Sequence, residues 1–118
     1  MLSFTGSLRI LIALTPCDMR RGYDGLLGLV SQQLMEDVRT GTLFVFTNKS
    51  RTRLKVLYWD GSGLWLMAKR LEKGTFCWPQ SPEAADLKLQ LSATAFAMLT
   101  DGVDLKQGSR RAWYDKQK

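Results

Sequence analysis

The chain has 118 residues, of which 45% are hydrophobic and 24% are charged, as in an ordinary globular protein of one domain. Its 17 lysines and arginines outnumber its 11 aspartates and glutamates, and this positive charge favours an anionic partner such as nucleic acid, an acidic protein or a membrane surface. No histidine is present, which excludes Ser-His and Cys-His nucleophile systems and histidine metal ligands. Every apolar run is far shorter than the roughly 18–20 residues that span a membrane.

The first third of the sequence predicts a strand and then a helix. Residues 8–14 (LRILIAL) are apolar on both faces and are followed by a proline, a pattern typical of a strand inside a sheet. The next residues, PCDMRR, are unlike a signal-peptide cleavage site, so we expect a cytoplasmic protein. Apolar residues then recur at helical spacing from Tyr23 to about Leu34. Asp18 is a candidate N-cap of this helix, and Asp24 falls in its first turn.

The middle of the chain predicts an antiparallel meander of three or four strands. Three apolar runs lie at residues 43–46, 54–59 and 64–68. A polar, basic stretch separates the first two, and Asp60-Gly61-Ser62-Gly63, which has the residues of a tight hairpin turn, separates the second and third. Lys73-Gly74 turns the chain again before a candidate fourth strand at residues 75–78.

The last third predicts another strand and a second helix. Leucines at alternate positions of residues 87–91 are typical of a short, half-buried strand. Ser92 is suited to cap a helix over residues 93–99, with Gly102 just beyond its end.

Together these elements predict an α+β fold, with a mostly antiparallel β-meander sheet packed by one long and one short helix. The sequence contains no internal repeat and no linker, so we expect a single domain at residues 3–105. Residues 106–118 are polar and basic, and we expect a mobile tail there.

Positive charge is concentrated on the predicted meander, where residues 49–73 include seven basic and two acidic side chains. Alternation along the second run places Arg53, Lys55 and Trp59 on one face of a strand. A sheet with such a basic strip is suited to follow phosphates. The alternative is that these side chains only solvate the open face and protect an edge strand. The candidate DNA-binding residues are Lys49, Arg51, Arg53, Lys55, Trp59, Lys69, Arg70 and Lys73, with Arg20 and Arg21 from the preceding loop.

No catalytic residue, metal site or cofactor is indicated. The sequence lacks the glycine motifs that cradle nucleotide phosphates, and its two cysteines lack the spacing of a zinc site. Carboxylates at Asp18, Asp24, Asp60 and Glu72 are candidate Mg²⁺ ligands for a nuclease. Each also has a structural explanation, as a helix cap, a dipole partner, a turn residue and an ion-pair partner respectively.

Four motifs along the chain carry a resemblance to a known family. They are P-x-D-M-R-x-G-x-D-G-L at residues 16–26, G-x-L-F-V-F at 41–46, R-L-K-x-L-x-W-D-G-x-G-L at 53–64 and K-R-L-E-x-G-x-F-x-W-P at 69–79. In order and spacing they resemble the small second-frame proteins, often labelled TnpB, of the insertion-sequence-sixty-six family of bacterial transposons. The resemblance extends over about residues 3–105, and its strength lies in the order of all four motifs.

The resemblance implies an accessory protein of DNA transposition that works with a separate, larger transposase. The transposase would cut and join the DNA, and the resemblance carries no catalytic residues over to this chain. We therefore expect a non-enzymatic factor at the bacterial nucleoid that binds DNA (transposon ends or nonspecific sites), the transposase, or both through the basic strip. Two alternatives stay open. One is a module that docks the transposase without contacting DNA, and the other is a Mg²⁺-dependent nuclease built on Asp18, Asp60 and Glu72.

Overall fold

The computed structural model describes residues 8–83 and 85–102, where the chain forms a mixed β-sheet and two α-helices. The predicted α+β class is confirmed. The predicted domain limits at residues 3 and 105 and the predicted tail at 106–118 lie outside the described residues. The strands are β1 (Ile10–Ala13), β2 (Leu43–Thr47), β3 (Arg53–Trp59), β4 (Leu64–Arg70) and β5 (Lys88–Leu91), and the helices are α1 (Tyr23–Gly28) and α2 (Ala93–Thr100).

The five strands lie in the order β4-β3-β2-β1-β5. β2, β3 and β4 form an antiparallel meander, as predicted, but β1 runs parallel to β2 and antiparallel to β5, so the sheet is mixed. All four residues of β1 are buried, because β1 has a neighbouring strand on each side and packing on both faces. The two-sided apolar run in the sequence therefore marks an interior strand, as predicted.

The two faces of the sheet carry two separate apolar cores, because successive side chains of a strand point to opposite faces. We call the face against the first helix the α1 face and the other the α2 face. The α1 face includes Leu11, Ala13, Phe44, Phe46 and Leu57 of the sheet, packed with Leu26, Val30, Leu34 and Val38. The α2 face includes Ile10, Ile12, Leu43, Val45, Leu54, Val56 and Leu91, packed with Phe76, Trp78 and Leu99.

The first helix differs from the single long helix that the sequence predicts. α1 has six residues and continues as a π-helical turn at Leu29–Gln33, after which Met35 takes a left-handed φ of 57°. The helix is weakened by its two internal glycines, since each costs about 1 kcal/mol relative to alanine. The predicted cap is also wrong: Gly22 is the N-cap, and Asp18 instead accepts hydrogen bonds from Arg20. Asp24 does lie in the first turn, as predicted.

Residues 75–78 do not form the predicted fourth meander strand. This segment instead covers the α2 face, where Phe76 and Trp78 are 1% and 5% exposed. The indole N–H of Trp78 donates to the Ala13 carbonyl at 2.8 Å, so the segment is joined to the interior strand β1. The two bulky side chains fill the face that the short α2 leaves open, which explains why the segment crosses the sheet and does not extend it.

The remaining turns and caps follow the sequence closely. Gly61 of the β3–β4 turn has φ +100°, and the Asp60 carboxylate accepts hydrogen bonds from the backbone N–H groups of Ser62 and Gly63. The Ser92 hydroxyl accepts from the Ala95 N–H at 3.0 Å and caps α2, as predicted. Among the helices of the described ranges, none has the length and apolar character that a membrane crossing requires.

Candidate nucleic-acid interface

The register between β3 and β4 divides the predicted basic strip between two faces. Arg53 lies opposite Arg70, and Lys55 lies opposite Ala68, so these three basic residues share the α1 face. Lys69 lies opposite Leu54 and therefore points to the α2 face. The Arg70 side chain therefore shares a face with the basic side chains of β3, and the side chain of its neighbour Lys69 does not.

Arg53 and Arg70 form a cross-strand pair of like charges. The neighbouring Leu71 N–H donates to the Thr52 carbonyl, which makes Arg53 and Arg70 a non-hydrogen-bonded pair, the kind in which facing side chains are closest. Their Cβ atoms are therefore about 4.5–5.5 Å apart, and like charges in this position are destabilising. None of the ion pairs among the described residues involves either guanidinium group. An anion between the two arginines would offset their repulsion.

The loop before α1 adds two more arginines to the same end of the sheet. The Lys55 ammonium donates to the Arg21 carbonyl at 2.8 Å, and this bond holds the loop against β3. A groove of about 330 Å³ between them is lined by Met19, Arg53, Leu54, Lys55, Ala68, Lys69 and Arg70. A second groove of about 560 Å³ shares Met19 and Arg53 with the first and is also lined by Cys17, Asp18, Arg20, Asn48, Lys49 and Ser50. Two adjoining grooves thus have basic side chains along their walls.

We call the side chains gathered here the basic face. Its members are Arg20, Arg21, Lys49, Arg53, Lys55 and Arg70.

Asp18 is an acidic group within the basic face. Its carboxylate lies 2.7 Å from the Arg20 guanidinium, and the hydrogen bonds from the side chain and backbone of Arg20 lower the pKa of Asp18 to about 2. Asp18 therefore remains ionised at neutral pH and partly neutralises Arg20.

The neighbouring Cys17 is half-buried. Burial raises the pKa of its thiol, whereas the positive charges of Arg21 and Lys55 act in the opposite direction.

Four of the predicted DNA-binding residues lie outside the basic face. The Lys69 ammonium donates to the Thr100 carbonyl at 2.6 Å, where it satisfies the C-terminal end of α2. Arg51 has a left-handed φ of 58° in the β2–β3 turn, and its carbonyl accepts from the Phe76 N–H. Lys73 lies in an exposed turn after β4. Trp59 shares a face with Lys55 but packs into the α1-face core at the opposite end of β3, about 20 Å along the strand from Arg53.

Two polar groove residues of the β2–β3 turn were not among the predicted site residues. Asn48 and Ser50 line the second groove from the β2–β3 turn. The Asn48 side-chain oxygen accepts from the N–H groups of Thr52 and Arg53, so it fixes the turn that leads into Arg53. An asparagine at the start of a short polar stretch is a recognisable turn signal, and it was available in the sequence.

The carboxylates considered for Mg²⁺ are not brought together. Asp60 is in the β3–β4 turn, where its bonds to Ser62, Trp65 and Gly63 lower its pKa. Asp18 is in the loop before α1, and Glu72 lies after β4. In residues 8–83 and 85–102, no group of three or more His, Cys, Asp or Glu side chains is arranged to hold a metal ion.

Comparison with known proteins identifies the family. The sequence model of a family described as IS66 Orf2 like protein matches residues 8–110. Two uncharacterized proteins of Sinorhizobium fredii (strain NBRC 101917 / NGR234) are similar to the chain. Protein y4jC is 41% identical over 104 residues, which is 88% of this chain and 86% of y4jC. Protein y4hO is 36% identical over 98 residues, which is 83% of each chain. No solved structure matches the chain.

These matches define the class of protein and then the family. The class is that of transposition-associated accessory proteins, which in general are not catalytic. The chain belongs to the IS66 Orf2-like family, and the resemblance seen in the sequence motifs is confirmed.

Proposed function

We propose that this protein is a non-enzymatic accessory factor of transposition that contacts DNA phosphates through the basic face. The observation that carries the proposal is the facing pair Arg53 and Arg70, two like charges held opposite each other with no ion-pair partner among the described residues. A phosphate between the guanidinium groups would accept hydrogen bonds from both and offset their repulsion.

The arrangement of the basic face supports backbone contact over base readout. Its charged groups come from a loop, a turn and two strands, and they line two grooves. Proteins that read bases in the major groove instead insert a helix or a two-stranded ribbon into it. Contacts to phosphates position a protein on DNA but carry no sequence information. The protein would therefore hold DNA at a transposition site that the transposase selects, in the bacterial cytoplasm at the nucleoid.

The test is binding to labelled transposon-end DNA and to random DNA across a salt series. We expect the logarithm of affinity to fall linearly with the logarithm of salt concentration, with little difference between the two DNAs. The double variant Arg53→Gln/Arg70→Gln should reduce the magnitude of the salt slope by about 1, because it loses the one phosphate held between the two arginines and each neutralised phosphate contributes about 0.9. Lys73→Gln is the control, since it removes a positive charge outside the basic face.

The outcome separates this function from a protein-docking role. If wild-type protein binds no DNA at low salt, or if Lys73→Gln weakens binding as much per charge as the double variant, the basic face does not contact DNA. Capture of the transposase by the wild-type protein with a nuclease present, lost in Arg53→Gln/Arg70→Gln, would then indicate that the same face binds an acidic surface of the transposase.

A further inference from the structure

The two edge strands of the sheet differ in length and composition. β5 has four residues, and its alternate side chains Lys88 and Gln90 are polar. β4 has seven residues, LWLMAKR, and its Trp65 is 41% exposed. Native sheets usually protect a long, apolar edge, since its unpaired backbone groups are a template for another strand. The β4 edge therefore requires an explanation.

The hydrogen bonds at both ends of β4 show which backbone groups are free. The Leu71 N–H donates to the Thr52 carbonyl, and the Asp60 N–H donates to the Gly63 carbonyl. Because backbone groups alternate in direction along a strand, odd-numbered residues of β4 bond to β3 and even-numbered residues point outward. None of the backbone–backbone hydrogen bonds among the described residues uses the outward groups. These groups are the N–H and C=O of Leu64, Leu66, Ala68 and Arg70.

We propose that the β4 edge binds the β4 edge of a second copy of this chain, antiparallel and centred on Met67. This register lets all seven residues of one strand pair with the other. Leu66 would face Ala68 and Leu64 would face Arg70 across the interface, and all four have outward backbone groups, so the ladder would be complete. The two sheets would join into one sheet of ten strands.

Charge also favours this antiparallel arrangement. The positive end of β4, at Lys69 and Arg70, would lie beside the opposite end of the partner strand, next to the Asp60 carboxylate. Lys69 would face the exposed Trp65 ring, and no like charges would be directly opposite. A parallel pairing in register would instead place each basic residue against its own copy.

The pairing would put both basic faces on one side of the joined sheet. Leu66 and Ala68 both point to the α1 face, so a pair formed between them aligns the α1 faces of the two copies. The two Arg70 residues would be six residues apart along the strands, about 20 Å. The inference does not rest on the proposed DNA contact, and its tests, molecular mass and disulfide cross-linking, are made without DNA.

The test of the interface is sedimentation equilibrium of the full chain over a concentration series. We expect the wild-type protein to form a dimer, and Ala68→Pro to raise its dissociation constant about tenfold or more, because proline removes an outward N–H from each copy. Ala68→Pro should still fold, since that N–H makes no bond to β3, and circular dichroism would verify this. Ala68→Ser is the control and should dimerise like the wild type. A wild-type protein that is monomeric at all concentrations would overturn the proposal.

The test of the register is disulfide formation under mild oxidation. Met67→Cys should cross-link two copies, because facing residues of a non-hydrogen-bonded pair are about 4.5 Å apart between Cα atoms, within disulfide range. Lys69→Cys should not, although its side chain is exposed, because the two copies of residue 69 would be about 13 Å apart. The wild type controls for Cys17 and Cys77. Cross-linking that is equal in the two variants, or greater in Lys69→Cys, would contradict this pairing.

Discussion

At the scale of single residues, Asp18 and Arg53 have opposite effects on the basic face. Arg53 faces another arginine, whereas Asp18 forms an ion pair with Arg20 at 2.7 Å. A carboxylate repels a neighbouring phosphate and competes with it for an arginine. Asp18 therefore limits how strongly this end of the molecule attracts an anion.

We predict that Asp18→Asn strengthens DNA binding at low salt by about threefold to tenfold, because it frees the Arg20 guanidinium and removes a negative charge. The measurement is the affinity for random DNA at fixed ionic strength. Asp37→Asn is the control, since it frees Arg39, whose guanidinium lies 3.7 Å from Asp37 in a different part of the surface. Equal gains in the two variants would show that net charge, and not the basic face, controls affinity.

The same Asp18 variant has a second consequence, in acid stability. The pKa of Asp18 is about 2 in the folded chain and about 3.9 when unfolded, so its ion pair stabilises the fold above pH 3.9. This contribution is lost as the pH falls through about 2. Unfolding measured between about pH 4 and pH 2 should be less pH-dependent in Asp18→Asn.

At the scale of secondary-structure elements, alternation was predictable from the sequence and register was not. Period-two alternation correctly put Arg53 and Lys55 on one face of β3. Whether Lys69 or Arg70 joins them depends on how β3 and β4 are aligned across the turn, and a one-residue shift would exchange the two. The grouping of the basic residues was therefore only partly predictable.

The segment at residues 75–78 shows a second limit of local pattern. Phe76 and Trp78 alternate with smaller residues as in a strand, yet they cover the α2 face. The same alternation is found in a segment that crosses a sheet and packs its bulky side chains onto it. Whether such a segment forms a strand or packs across a sheet depends on whether a long apolar face has only a short helix beside it. That is a property of the assembled fold.

The Trp78 indole gives a direct test of this crossing segment. We predict that Trp78→Phe lowers the free energy of unfolding by about 1–3 kcal/mol, because it leaves the buried Ala13 carbonyl without its 2.8 Å hydrogen bond. The measurement is equilibrium denaturation in urea. Trp65→Phe is the control: it also removes an indole bond, to Asp60, but from an exposed ring, so its cost should be below about 1 kcal/mol. Equal losses would show that the Trp78 bond contributes nothing specific.

At the scale of the whole molecule, the two apolar cores and the basic face occupy different parts of the sheet. Both faces carry an apolar core, while the basic face occupies one end of the α1 face. The chain carries a net charge of +6, and clustering part of this charge at one end stores repulsion in the folded state.

Screening of that repulsion should be visible in thermal stability. We predict that raising sodium chloride from about 20 mM to about 500 mM increases the melting temperature by about 1–5 °C, because the Debye length falls below the separation of the clustered charges. Arg70→Gln should reduce this increase, since it removes the Arg53–Arg70 repulsion. A melting temperature that falls with salt, in wild type and variant alike, would indicate that favourable ion pairs dominate instead.

The position of β1 determines when this protein can fold during its synthesis. Ile10 pairs with Leu43 on one side and with Leu91 on the other, so β1 needs β5, the last strand of the sheet to be synthesised. A ribosome must therefore translate through β5 before the apolar β1 has a neighbouring strand on each side, and pairings this distant in sequence form slowly. Until then the nascent chain exposes an apolar strand, and a message truncated before the codons of β5 would yield a product prone to aggregate.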